Sequence, residues 1–255
     1  MKKITTLFCI FFSSLTLYAQ YNNLSTDSLK VLLRSEKSDS LKVKLLLRMG
    51  TRFGYGFKRD DSVLQYLQQA LEIANKKYFT RDALIARTEI GRYFYTTGNY
   101  AESLKNLLQN LDLAEQNKDT LLIFQNIKDL MKAYNKMSDY KQELLYAQKT
   151  KALLAQLTVK DSVLTFQFVP TYLNHMAMVY LGLGNNDSAL FYYRKANAHF
   201  QTRRYAQGIA VGLFNLAEIF AKMNNIDSSF TLFKKSILYA EASSRFDIVC
   251  DSKLN

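Results

Sequence analysis

The stretch TTGNYAESL at residues 96–104 is echoed by GLGNNDSAL at residues 182–190. The same frame recurs in NKMSDYKQEL at 135–144 and AKMNNIDSSF at 221–230. Upstream of each lies an apolar segment centred on one position: EIGRYF on Gly91, DLMKAY on Met131, HMAMVY on Ala177 and NLAEIF on Ala217, spaced by 40, 46 and 40 residues. An aromatic follows three residues later, at Phe94, Tyr134, Tyr180 and Phe220. That offset puts each pair of positions on one helix face.

Downstream, a second helix carries its own stripe. Ser103, Leu107 and Asn110 correspond to Glu143, Ala147 and Thr150, then to Ala189, Tyr193 and Ala196, and to Ser229, Phe233 and Ser236. An earlier unit fits with one extra loop residue, through Gly50 and Phe53 and then Val63, Leu67 and Ala70. The spacing therefore predicts five helix pairs. Gly98, Gly184 and Asn224 fall where first helices end and tolerate the left-handed closing conformation, with Ser138 the exception. Asp39, Asp82, Asp119 and Asp161 stand where the next helices are expected to begin, placed to accept free backbone N–H groups.

This pattern of large, small and aromatic positions, a short turn, and a second helix with small–aromatic–small spacing resembles the tetratricopeptide repeat (TPR). Ile90, Gly91, Phe94, Gly98, Tyr100, Ser103 and Leu107 carry it in one unit, and Met176, Ala177, Tyr180, Gly184, Ala189, Tyr193 and Ala196 in another. The departures are the absence of tryptophan and of the closing proline, a large Met131 at a small position, and a period near 40 rather than 34. The resemblance implies an all-α, right-handed α-solenoid of about five pairs over residues 41–243. Small residues would let paired helices approach while aromatics fill the wedges between pairs. The longer period implies extended helices or linkers.

Composition agrees. In 255 residues there are one proline and nine glycines, and 48% of the chain is hydrophobic, which suits a helical protein with a sizeable core. Residues 1–19 read as a signal peptide: Lys2 and Lys3, an apolar run from Ile4 to Leu17, and a small Ala19 before the expected cut. The alternative is a retained anchor, although a run of about fourteen residues is shorter than the roughly twenty a membrane span needs. Cleavage would lower the formal charge from +12 to +10, with Lys2 and Lys3 lost, and remove Cys9, leaving Cys250 with no internal disulfide partner. Residues 20–40 contain STDSLKVLLRSEK, a capping helix with Leu29, Leu32 and Leu33 on one side. Residues 244–255 read as the start of an incomplete sixth unit, so a continuation, membrane-anchored in one reading, is expected beyond Asn255.

Chemistry is sparse in the sequence. His175 and His199 lie 24 residues apart without zinc-ligand spacing, and no nucleotide-binding glycine motif is present. Neither an enzyme nor a metal or cofactor is expected. The 17 tyrosines and 17 phenylalanines recur at packing positions, which favours a core over a nucleic-acid platform. Asn186 begins a glycosylation sequon but is expected to act as a helix cap. In arrays of the resembled family, first helices line a concave groove for partner peptides. That register places Arg48, Arg92, Tyr95, Lys128, Lys132, Asn135, Asn174, His175, Phe214 and Asn215 toward the groove. Cations and amides there suit a carboxylate or a peptide backbone, although the family's lysine–asparagine carboxylate clamp is not reproduced. The expected function is an exported module binding a protein or peptide. Its organisation resembles the periplasmic sensing region of membrane-bound histidine kinases or helix-turn-helix regulators; the alternative is a freestanding envelope scaffold.

Overall fold

The computed structural model describes residues 26–52 and 62–243, and every regular element among them is a helix. The expected leader, Phe53 and the expected sixth unit lie outside the described residues. The chain divides into two compact units, Met1–Asn106 and Leu107–Asn255.

The first unit holds α1 (Thr26–Ser35), α2 (Asp39–Arg52), α3 (Ser62–Lys76), α4 (Thr80–Thr96) and the start of α5 (Tyr100–Gln116). Helix α1 buries Leu29 completely against Leu45 and Met49 of α2, with Leu32 and Leu33 beside it. Helices α2 and α3 meet at Gly50, where any Cβ would overlap the Leu67 side chain. Val43, Leu46, Val63, Leu67 and Ala70 form a core continuous with Ala83, Ala86 and Ile90 of α4. Each fully buried large side chain contributes roughly 1.5–3 kcal/mol to folding. In the next pair, Ser103 Oγ of α5 donates to the Gly91 carbonyl oxygen of α4 at 2.8 Å. Two small positions face each other there and are joined by a buried bond.

The second unit continues α5 and adds α6 (Thr120–Lys136), α7 (Tyr140–Leu154), a 3-10 turn (Val159–Asp161), α8 (Ser162–Gly182), α9 (Asn186–Thr202), α10 (Ala206–Lys222) and α11 (Ile226–Ala242). Together with the first unit this gives the five expected pairs, α2/α3 to α10/α11.

Extended helices account for the 40-residue period. Helices α4, α5, α6, α9, α10 and α11 each have 17 residues, and three-residue turns separate them within each regular run. The middle residue of each turn is left-handed: Tyr78, Gly98, Lys118 and Ser138, then Gly184, Arg204 and Asn224, with φ between 51° and 80°. The next residue donates its N–H back six positions, as from Asn99 to Phe94 O, Asp139 to Tyr134 O and Asn185 to Tyr180 O. That bond closes the outgoing helix. The same residue then caps the incoming one, with Asn99, Asp119, Asp139, Asn185 and Asn225 each accepting an N–H from three residues on. One residue serves two helix ends, which is why the turns need only three.

Several expectations are corrected by this geometry. Ser138 is no exception, since it takes φ 58° like the glycines at matching positions. Of the four aspartates expected as caps, Asp119 caps its helix. Ser38, not Asp39, accepts from the first turn of α2, and Asp39 instead pairs with Lys77 at 2.8 Å. Helix α4 follows Phe79, which makes no side-chain cap bond. Asp82 lies inside the first turn of α4, where burial raises its pKa against the opposing charges of Lys44 and Arg81. Asp161 closes a box with Thr158 at the 3-10 turn. Asn186 is the first residue of α9, and its neighbour Asn185 is the cap.

The 46-residue interval between Met131 and Ala177 arises at one place. Helix α7 stops after 15 residues, the chain passes through the 3-10 turn, and α8 runs for 21. Helix α8 contains the chain's one proline, the buried Pro170. A proline ring supplies no N–H to the carbonyl four residues earlier, here that of Phe166. His199 of α9 hydrogen-bonds to the Phe166 backbone and stacks on the Phe166 ring at 5.7 Å.

Candidate interaction surface

The period predicts which first-helix positions share a face, and each compact unit presents its own set. In the first unit, Arg48 is half-buried on α2. Arg92 of α4 pairs with Glu89 at 2.5 Å one turn earlier. The Tyr95 ring lies 5.7 Å from that of Tyr100 across the turn.

In the second unit, Lys128, Asn174 and Phe214 occupy matching positions on α6, α8 and α10, and all three are half-buried. The Asn174 Oδ1 atom is buried without a hydrogen-bond partner among the described residues. The Phe214 ring meets Phe233 of α11 edge-on at 5.4 Å. One position along, Asp129, His175 and Asn215 match. Asp129 is nearly buried, with exposed Lys132 Nζ 3.9 Å from its carboxylate. Asn215 is half-buried.

His175 and Asn135 are brought together by a residue outside the expected groove set. Glu143 of α7 is fully buried. Asn135 Nδ2 donates to Glu143 Oε2 at 2.8 Å, and His175 Nδ1 hydrogen-bonds Glu143 Oε1 at 2.6 Å. His175 is itself 4% exposed, so it and Asn135 position α6, α7 and α8 relative to one another. Tyr193 of α9 lies near enough that Glu143, after burial and Glu218, raises its pKa. The signal in the sequence was the column Ser103, Glu143, Ala189, Ser229, where one long acid stands among small residues. A buried carboxylate needs hydrogen-bond donors, and the chain supplies two.

Other pairings also carry no local signature. Asn110 Nδ2 of α5 donates to Asn126 Oδ1 of α6 at 3.1 Å, both buried. The repeat aromatics Tyr134 and Tyr180 stack on Tyr146 and Tyr192, at 5.6 and 5.5 Å. Burial is the main cause raising the pKa of Tyr134, Tyr146 and Tyr192, so these rings act as neutral packing. No group of acidic, histidine or cysteine side chains suited to hold a metal is found among the described residues. No helix among them is long and apolar enough to cross a membrane.

Known structures share this architecture. Aspartyl phosphate phosphatase F from Bacillus subtilis superposes with a TM-score of 0.64 at 17% identity, over 86% of this chain and 60% of that one. A Rap protein complexed with competence and sporulation factor gives 0.61 at 15% identity, over 87% of this chain and 64% of its own. This chain thus spans less than two thirds of either. A thermophilic TPR protein of Thermus thermophilus gives 0.57 at 18% identity, over 83% of this chain and 97% of that one. At these identities the likeness is one of fold, the TPR type used widely as a protein-interaction scaffold. No curated protein matches the chain by sequence. The family model described as the SusR N-terminal TPR domain matches residues 16–244, and the chain belongs to that family.

Proposed function

We propose that the chain is an exported sensing module that binds a protein or peptide on the first-helix face of its second unit. The observation that carries this reading is Asn174, whose buried Oδ1 has no partner among the described residues. An acceptor left in that state costs about 1–3 kcal/mol, and a ligand N–H recovers it. Lys128 and Phe214, at the matching positions of α6 and α10, offer a charge and an apolar surface on either side. An extended peptide presents this set of groups: a backbone N–H, carboxylates and apolar side chains. Arg48, Arg92 and Tyr95 offer comparable chemistry in the first unit. The Rap protein complexed with a factor and the basic, apolar leader of residues 1–19 support a secreted receptor role. A signalling output would belong to chain beyond residue 255.

Photocrosslinking from residue 215 in the cell envelope tests this reading, with residue 145 as control because Leu145 is an exposed site on α7. The expected result is a discrete partner captured from 215, absent from 145 and lost in Asn174→Ala. Equal capture from both sites, or capture indifferent to Asn174→Ala, would overturn it.

A further inference from the structure

Helix α11 carries an apolar stripe with an internal symmetry. Ile226, Phe230, Phe233 and Ile237 are separated by four, three and four residues, so they occupy one helix face. The series reads Ile–Phe–Phe–Ile from either end. Ile226 and Phe230 are 60% and 59% exposed, and Phe233 and Ile237 are half-buried. Ile226, Phe230 and Phe233 line a shallow depression of ≈ 390 Å³ beside Glu218 and Lys222. Forty residues earlier, α9 has Tyr193 and Asn197 at the matching positions, and both are buried. There Gly212 of α10 packs on Asn197. The α11 stripe is therefore a face of the kind this fold covers with another helix, here left open among the described residues.

We infer that the occupant is the α11 of a second copy of this chain, packed antiparallel about a two-fold axis passing between Phe230 and Phe233. A two-fold interface requires a surface that complements itself. The palindromic stripe does so, because the axis sets Phe230 opposite Phe233 of the second copy and Ile226 opposite its Ile237. Charge agrees with the same axis. Asp227 and Lys234 are exposed on one flank of the stripe, and antiparallel packing brings Asp227 of one copy within side-chain reach of Lys234 of the other. Lys234 lies over the Phe230 ring at 4.3 Å and is already placed at the margin of the contact. Any other apolar helix would meet the stripe without requiring it to be symmetric.

Sedimentation equilibrium of the full chain at about 50 μM, a concentration that populates dimers of micromolar affinity, tests the inference. A dimer is expected. Phe230→Asp should weaken it about 1,000-fold, since each substitution acts twice across a two-fold and central aromatics dominate such contacts. An unchanged helical spectrum and melting temperature would show that this variant still folds. Asp227→Lys should weaken the dimer, and adding Lys234→Asp should restore it. A monomeric chain, a dimer that survives Phe230→Asp, or a dimer seen only after removal of residues 244–255 would overturn the inference. The last result would assign the stripe to the chain's own continuation.

Discussion

Two junctions in the second unit solve the same problem by different means. Between α9 and α10 the chain makes a three-residue turn centred on Arg204 at φ 51°. Gly208 lies against the rings of Phe200 and Tyr205, and Gly212 against Asn197. Close backbone approach and aromatic packing hold that junction. Between α7 and α8 the turn is replaced by a longer link and a 21-residue helix, and the contact is held by buried hydrogen bonds through Glu143. In the third pair the two positions occupied by Gly91 and Ser103 in the second are Met131 and Glu143, both fully buried. The comparison teaches that the repeat tolerates bulk at its small positions when the added polar atoms find partners in the next pair. Such pairing also makes the junction specific, because a carboxylate buried out of register would lack donors.

The largest effect is expected where the polar junction is broken from one side. His175→Ala leaves the Glu143 carboxylate buried with one donor fewer, and a loss of about 3–5 kcal/mol in denaturant unfolding is predicted. A loss below about 1 kcal/mol, the usual size for exposed pairs, would mean that the two junctions do not differ in kind.

The apolar junction should respond to volume. Gly208→Ala puts a methyl group into the rings of Phe200 and Tyr205 and should cost about 1–3 kcal/mol by overpacking. A neutral or stabilising result, as expected of an unconstrained helical glycine, would remove the close-approach argument for α9 and α10.

The smallest effect concerns His199, which lies beside both junctions. Burial lowers its pKa below the ordinary 6.5, partly offset by the bond to the Phe166 backbone, with Arg203 lowering it further. The unfolded chain therefore takes up the proton first. Stability present above pH 6.5 is lost as the pH falls through the folded-state value. His199→Phe keeps a ring beside Phe166 and cannot titrate, so its melting temperature should fall less than that of the parent between neutral and mildly acidic pH. Parallel pH curves for the two proteins would exclude this contribution.

The number of pairs, their small and aromatic columns, and the left-handed Gly98, Gly184 and Asn224 were legible in the sequence because each depends on residue type at a fixed spacing. The left-handed Tyr78, Lys118, Ser138 and Arg204 were not. At those positions closing bonds of the helix end impose the conformation, although such residues oppose it by about 1–2 kcal/mol each. The caps Asn185 and Ser38 each stand one residue before the expected one, and helix boundaries carry that uncertainty when read from pattern alone.

Of the expected surface residues, the placement of Asn135 and His175 was the least readable. Their partner Glu143 is close to Asn135 in sequence, but it lies 32 residues from His175 and is recognisable only as an acid in a column of small residues. Pro170 and His199 are linked in the same way. The proline frees a carbonyl, and the residue that uses it is on another helix.

The central claim is that Glu143 and His175 act as one unit fastening α8 to the third pair. A double-mutant cycle of Glu143→Ala and His175→Ala, read by denaturant unfolding, measures that coupling directly. The account predicts a coupling of about 1–3 kcal/mol, with the double variant less destabilised than the sum of the singles. Additivity within about 0.5 kcal/mol, as found for independent sites, would contradict it.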